Sequence, residues 1–201
     1  DLKQFVFAHS MGSWIALSLL KRELLIDGLI LSASAKYPQF LITLQKLIIQ
    51  IDIFFNGRNK LNNIMELLTT KRFNSNFKPN RTEFDWLSDD EESVDNYIED
   101  DLCGFKVTNG LWLDMVKGIE STFKDENYIS DNKDLRILLV AGSKDPVGDN
   151  GKGVERLYTF LKNHFKYLSL FTFGNGRHEI FSDLNKDRRY KLLIDFFDEE
   201  I

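Results

Sequence analysis

Cysteine occurs once, at Cys103, so the chain cannot close a disulfide within itself and nothing ties it to an oxidising compartment. The side chain reads as a small hydrophobe in a core. Histidine occurs three times, at His9, His164 and His178, far apart in sequence and without a second cysteine, which argues against a structural zinc site. Basic residues are scattered and outnumbered, 26 Lys and Arg against 31 Asp and Glu for a formal net charge of -5, and this argues against a nucleic-acid surface. There is no uncharged apolar run of roughly 18 residues to cross a bilayer, and no basic-then-apolar leader. A cytoplasmic protein is expected. The acids from Asp89 to Glu92, Asp95, and Glu99 to Asp101 lack the alternating oxygen spacing of a calcium loop and read as a solvated helix face. Neither a metal nor a cofactor is expected, and the oligomeric state stays open.

What the chain holds, at 43% hydrophobic over 201 residues, suffices for one sizeable core and a small second unit. Apolar runs at Phe5 to Ala8, Gly28 to Ala33, Leu135 to Gly142 and Tyr167 to Phe173 have strand length, and helical periodicity fills the intervals. That alternation predicts an α/β protein built on a mostly parallel sheet. The last run alternates more than the others and fits a place nearer the sheet edge.

The first run leads into Ala8-His9-Ser10-Met11-Gly12, followed by a helical pattern from Trp14 to Leu25, so Ser10 stands on a strand-turn-helix. So sharp a reversal strains the apex and calls for small neighbours, here Ala8 and Gly12, lest helix and strand collide. It also presents the Met11 backbone N–H at a helix N-terminus. An ordinary helix start capped by Ser10 accounts for the same residues.

Between the second and third runs the pattern is helical. Phe40, Leu41, Leu44, Leu47, Ile48, Ile51, Phe54 and Phe55 make an amphipathic face, with Ile42, Ile49 and Ile53 adding apolar surface off it. That helix either packs in a core or forms a lid offering its apolar side to an acyl chain, with transient contact at a membrane surface. Further helices are expected near Leu61 to Thr70, after an N-cap at Ser88, and through Leu111 to Ile119. The third run ends in Gly142-Ser143-Lys144-Asp145-Pro146, placing Asp145 in a loop at a strand's C-terminal end, where open α/β sheets gather site residues. Asp145 also suits a turn-stabilising role, and Asp149 is its nearest competitor. A helix from Gly151 to Phe165 carries a structural His164 near its end. The fourth run precedes Gly174-Asn175-Gly176-Arg177-His178-Glu179, a flexible glycine loop able to carry an imidazole over the strand ends, before a closing helix from Lys186 to Glu200.

These strings carry a resemblance. Ala8-His9-Ser10-Met11-Gly12 resembles the Gly-x-Ser-x-Gly nucleophile elbow of the α/β-hydrolase superfamily, with Ala in place of the first Gly. Gly-Ser-Lys-Asp-Pro at 142–146 resembles its triad-acid loop, and Gly174-Asn175-Gly176-Arg177-His178-Glu179 resembles the Gly-x-x-His-Glu loop holding its catalytic base, with His178 at the position of that base. The order Ser10, Asp145, His178 is the order of that superfamily. Phe84-Asp85-Trp86-Leu87 and Asp101-Leu102-Cys103-Gly104-Phe105 resemble cap phrases of its monoacylglycerol lipase and lysophospholipase-like branch.

The resemblance implies a hydrolase core over residues 1–35 and 133–201 with a helical cap at 36–132. It implies a serine ester hydrolase acting on lysophospholipid or monoacylglycerol, with Ser10 as nucleophile, His178 as base, Asp145 as acid and the Met11 N–H in the oxyanion hole. A peptidase of the proline-iminopeptidase type shares that machinery, and a non-catalytic interaction protein shares the fold. In the superfamily four strands precede the elbow, so the chain is expected to be the C-terminal part of a longer protein, the second oxyanion donor lying in the part before Asp1.

Overall fold

The computed structural model describes residues 2–22, 25–124 and 134–198. Four short strands carry the sheet: β1 (Phe5–His9), β2 (Gly28–Ser32), β3 (Arg136–Gly142) and β4 (Tyr167–Phe173). All three pairings are parallel and the order is β1-β2-β3-β4. Parallel neighbours need crossovers, and helices supply them: α1 (Met11–Leu19) between β1 and β2, and α7 (Lys152–Leu161) between β3 and β4. The long interval from β2 to β3 holds α2 (Gln39–Asn56), α3 (Asn63–Glu66), α4 (Arg72–Asn74), α5 (Glu91–Glu99) and α6 (Asn109–Lys124), and α8 (Lys186–Asp198) closes the described chain.

Successive strand residues face opposite sides of a sheet, and the cores divide accordingly. Leu29, Leu31, Ile137 and Leu139 join Leu17, Ile42, Ile49 and Leu157 on one side. Ile30, Leu138 and Val140 join Ile180, Leu193 and Phe196 on the other. Being covered on both faces, β2 is buried along its whole length. Among the described residues β4 is an edge strand, with Tyr167 and Phe171 exposed, and β1 forms the other edge.

Several elements depart from the sequence reading. The helix after Ser10 begins at Met11 and ends at Leu19, whereas its periodicity extends from Trp14 to Leu25, partly over residues 23–24, which lie outside the described structure. A Cβ built at Gly12 meets nothing within 4 Å among the described residues, so the expected steric demand for a small residue there is not met. In α2 the two sides are exchanged. Ile42 and Ile49 are the buried residues, while Phe40, Leu44, Leu47, Ile51, Phe54 and Phe55 are all at least half exposed. The reason is the partner: Ile42, Lys46, Ile49 and Ile53 recur at steps of three and four, and that stripe meets α6, where Lys46 Nζ bonds Glu120 Oε2 at 2.6 Å.

Residues 61–70 do not form one helix. Asn62 caps α3 by accepting the Met65 N–H (2.7 Å), Thr69 Oγ1 then donates to Met65 O (2.6 Å), and the backbone widens into a π turn over Leu67–Lys71. Ser88 does not cap α5; Asp90 does, accepting the Glu92 N–H, because the Ser88 hydroxyl is turned to Ser182 O (2.9 Å) and Asp183 Oδ1 (3.0 Å). Cys103 is half-buried rather than in a core, and its Sγ lies 3.7 Å from Asp100 Oδ2. The closing helix ends at Asp198, and residues 199–201 lie outside the described structure. Among the described residues no helix is long and apolar enough to cross a membrane.

Candidate active site

β1 delivers Ser10 at its C-terminal end with φ 49° and ψ -120°, a conformation that costs a non-glycine residue about 1–3 kcal/mol. The surroundings hold it there. Ser10 N–H donates to Ser32 O at the end of β2 (2.9 Å), and Ser10 O accepts both the Ser13 N–H (3.0 Å) and the Ser13 hydroxyl (2.5 Å). Met11 opens α1, so its N–H belongs to the first turn, where no intrahelical acceptor exists. An apolar groove of about 450 Å³ starts at Met11 and runs between α1 and α6 along Ile15, Leu19, Met115 and Ile119.

β3 delivers Asp145 in the turn beyond Gly142. Oδ1 accepts the Val147 N–H (2.9 Å) and faces His178 Nδ1 at 3.0 Å. Oδ2 is buried with no hydrogen-bond partner among the described residues. Asp149, the competitor, binds Arg156 at 3.2 Å instead.

β4 delivers His178, and the glycine loop before it is pinned. Ser143 N–H donates to Phe173 O (2.9 Å), Lys144 N–H to Gly176 O (2.9 Å), and Asn175 N–H to Ser143 Oγ (2.9 Å). The acid loop and the histidine loop are therefore one hydrogen-bonded unit, in place of the flexible arm expected from the glycines. His178 Nε2 lies 3.0 Å from Ser10 Oγ. The structure thus brings Ser10, His178 and Asp145 into a single line across the C-terminal ends of three strands. Burial disfavours the imidazolium, but the Asp145 charge and hydrogen bond, with Glu179 adding to them, outweigh it and hold His178 above the ordinary imidazole value. His164 lies in the turn after α7, where its ring packs on Phe160 at 5.1 Å.

The roles of four neighbours, His9, Glu179, Trp86 and Arg177, escape a sequence reading. His9 Nε2 bonds Glu179 Oε1 at 2.9 Å, and the pair is separated by 170 residues. Burial alone would raise the Glu179 carboxyl; the hydrogen bond and charge of His9 bring it below the usual glutamate value. Trp86 backs the imidazole with ring centroids 5.2 Å apart, while Trp86 O and Leu87 O accept the N–H groups of His178 (3.4 Å) and Glu179 (2.7 Å). Arg177 donates to Asp85 O and Ser88 O from the same loop. The only local signals were that His9 adjoins Ser10 and Glu179 adjoins His178.

A family profile described as serine aminopeptidase, S33, matches residues 1–185. The chain belongs to that family. The S33 chain also has the α/β-hydrolase fold, as solved structures bear out. It superposes on a thermostable carboxyl esterase from Bacillus coagulans with a TM-score of 0.82 at 23% identity, covering 98% of this chain and 65% of the esterase. A monoacylglycerol lipase from Paleococcus ferrophilus gives a TM-score of 0.64 at 22% identity, covering 96% and 67% of the two chains. Monoglyceride lipase from Saccharomyces cerevisiae gives 0.70 at 19% identity, covering 98% and 62%. The S33 chain therefore spans about two thirds of the length of these structural relatives. No curated protein sequence matches it.

Proposed function

We propose that this S33-family protein is a serine hydrolase of carboxylic esters acting on lysophospholipid or monoacylglycerol, with Ser10, His178 and Asp145 as its triad. The observation that carries the reading is the unbroken line from Asp145 Oδ1 to His178 Nδ1 (3.0 Å) and from His178 Nε2 to Ser10 Oγ (3.0 Å). His178 accepts the Ser10 proton as Oγ attacks the ester carbonyl, then returns it to the departing alcohol, leaving an acyl-serine that water cleaves by the same route. Asp145 holds the imidazole tautomer and offsets the charge it gains. The Met11 N–H faces the developing oxyanion, a contribution of about 2.7–4 kcal/mol where such a donor has been removed. None of these steps draws on a metal or cofactor.

An acyl ester is favoured by apolar surface beside the nucleophile. The groove that begins at Met11 suits a hydrocarbon chain, and the exposed side of α2 suits contact with the lipid surface from which such a substrate comes. In this reading residues 36–132 form a cap on a core made of residues 1–35 and 133–201, working in the cytoplasm. The family description itself favours a second reading, aminopeptidase action. An aminopeptidase needs a carboxylate to bind the substrate ammonium, and Glu179, beside the triad, would have to exchange its contact with His9 for that ammonium.

A fluorophosphonate probe applied to the intact protein is expected to label Ser10, and Ser10→Ala to abolish the label. A panel of acyl esters against aminoacyl amides is expected to be turned over on the ester side. An unlabelled Ser10 in folded protein would overturn the triad, and turnover of the amides alone would replace the esterase with the peptidase.

A further inference from the structure

One cluster beside the triad has no part in the chemistry above. The rings of His9 and His178 lie 5.1 Å apart between centroids, and one ligating atom from each of His9, His178 and Glu179 falls within 4.8 Å of the other two. Two imidazoles and a carboxylate form a donor set that suits zinc and related divalent ions.

The support behind the rings separates this cluster from a chance grouping. A metal-binding imidazole gives its second ring nitrogen to an oxygen that fixes its orientation. His178 Nδ1 is held by Asp145 Oδ1 at 3.0 Å and His9 Nδ1 by Ser32 Oγ at 3.1 Å. Both rings are therefore oriented through Nδ1, while His9 Nε2 faces Glu179 Oε1 at 2.9 Å and His178 Nε2 faces Ser10 Oγ at 3.0 Å, contacts that an ion would replace as the His9 Nε2 proton is released. The third donor is anchored through its backbone, where Glu179 N–H bonds Leu87 O at 2.7 Å. The His9 and Glu179 side chains are 26% and 36% exposed, which leaves an ion a way in.

We infer that a divalent transition-metal ion, zinc in the first place, binds His9 Nε2, the Glu179 carboxylate and His178 Nε2, and that it switches the enzyme off. Bound there, the ion takes the lone pair with which His178 accepts the Ser10 proton. Zinc bonds of about 2.0–2.1 Å set tetrahedral ligands roughly 3.4 Å apart. The His9–Glu179 contact of 2.9 Å is already near that spacing, and the 4.8 Å bound on the set closes by side-chain rotation at the two partly exposed residues. The wide sequence separation of the histidines argued against a structural zinc site; a site assembled by the fold across 170 residues escapes that argument. Magnesium and calcium, which prefer all-oxygen shells, are not expected to compete.

Only the inhibitory consequence rests on the proposed function, so the test separates binding from catalysis. Zinc titrated calorimetrically into the intact chain is expected to bind one ion per chain, equally in Ser10→Ala, and at least about tenfold more weakly in His9→Gln and in Glu179→Gln. Cobalt at the same site is expected to show the visible absorption of a low-coordinate ion, lost in both variants. The rate of ester hydrolysis, scored against each variant's own metal-free rate, is expected to fall with zinc, recover with a chelator, and need at least about tenfold more zinc in His9→Gln. Absence of stoichiometric binding, or affinities in both variants equal to that of the parent chain, would overturn the site. A chain that binds zinc with these dependencies but cleaves no ester would remove the proposed function and leave the metal site standing.

Discussion

A methyl group added at Gly142 would sit 2.2 Å from the carbonyl oxygen of Gly176 and 2.4 Å from that of Arg177. Both are backbone atoms, and both belong to the loop that carries His178, so no side-chain rotation relieves the clash. The loops holding Asp145 and His178 would be pushed apart at the point where Lys144 N–H bonds Gly176 O. Gly142→Ala is expected to destabilise the fold by about 1–3 kcal/mol, the range of overpacked sites, and to reduce ester turnover more than the loss of folded protein explains. Urea unfolding and a rate per folded molecule check the two parts. Gly12→Ala, at the elbow itself, is the contrast: in this chain it meets open space within a helix, so unchanged or slightly raised stability is expected. A rate for Gly142→Ala that follows its folded fraction would show that the close approach serves packing alone.

At the scale of elements, α2 shows what periodicity conveys and what it omits. Its apolar residues surround most of the helix, so spacing announced a helix with near-correct ends but not the side that would meet α6. That choice rests on Ile42 and Ile49 finding the core that α6 shares, with Lys46 meeting Glu120, 74 residues away, beside them. The hydrogen bond and charge of Lys46 hold the Glu120 carboxyl below the usual glutamate value. A lowered folded-state value means that the pair stabilises the fold above the unfolded glutamate value, about 4.3, and that this contribution is lost as pH falls through the folded value. The side chains keep 30% and 22% of their surface exposed, so roughly 0.5 kcal/mol is expected. The measurement is the stability difference between the parent chain and Glu120→Gln, expected to shrink between neutral pH and pH ~3. A difference that stays constant would mean that the pair does not join α2 to α6 in solution. The strands were more legible than this helix, because β2 and β3 are continuous apolar runs whose burial on both faces leaves no side to choose.

For the molecule as a whole, legibility follows the same division between local and distant. The surroundings of Ser10, Asp145 and His178 were each written in a few consecutive residues following a strand, which is why their neighbourhoods could be read in order. The seam between the helical segment and the sheet could not, because its partners lie about ninety residues apart in sequence. At that seam Asp183, fully buried, accepts from the Ser88 hydroxyl (3.0 Å), from the Asp89 N–H (3.0 Å) and from the Arg177 N–H (3.2 Å), and pairs with the buried Arg189. Arg177 reaches back to Ser88 O at 2.7 Å, so the residue before His178 and the loop that backs its ring are tied together from both directions. Asp183→Ala would leave Arg189 buried without its partner, and a loss of about 3–5 kcal/mol is expected, enough to unfold a marginal chain. The informative variant is therefore Ser88→Ala, which removes one hydroxyl and about 1 kcal/mol while the ion pair stays. If the seam positions the imidazole against Ser10, kcat for an ester falls in Ser88→Ala while KM is held, since the groove at Met11 lies on α1 and α6 and is not touched. A variant that melts earlier yet keeps its full kcat would reduce the seam to a brace for the fold.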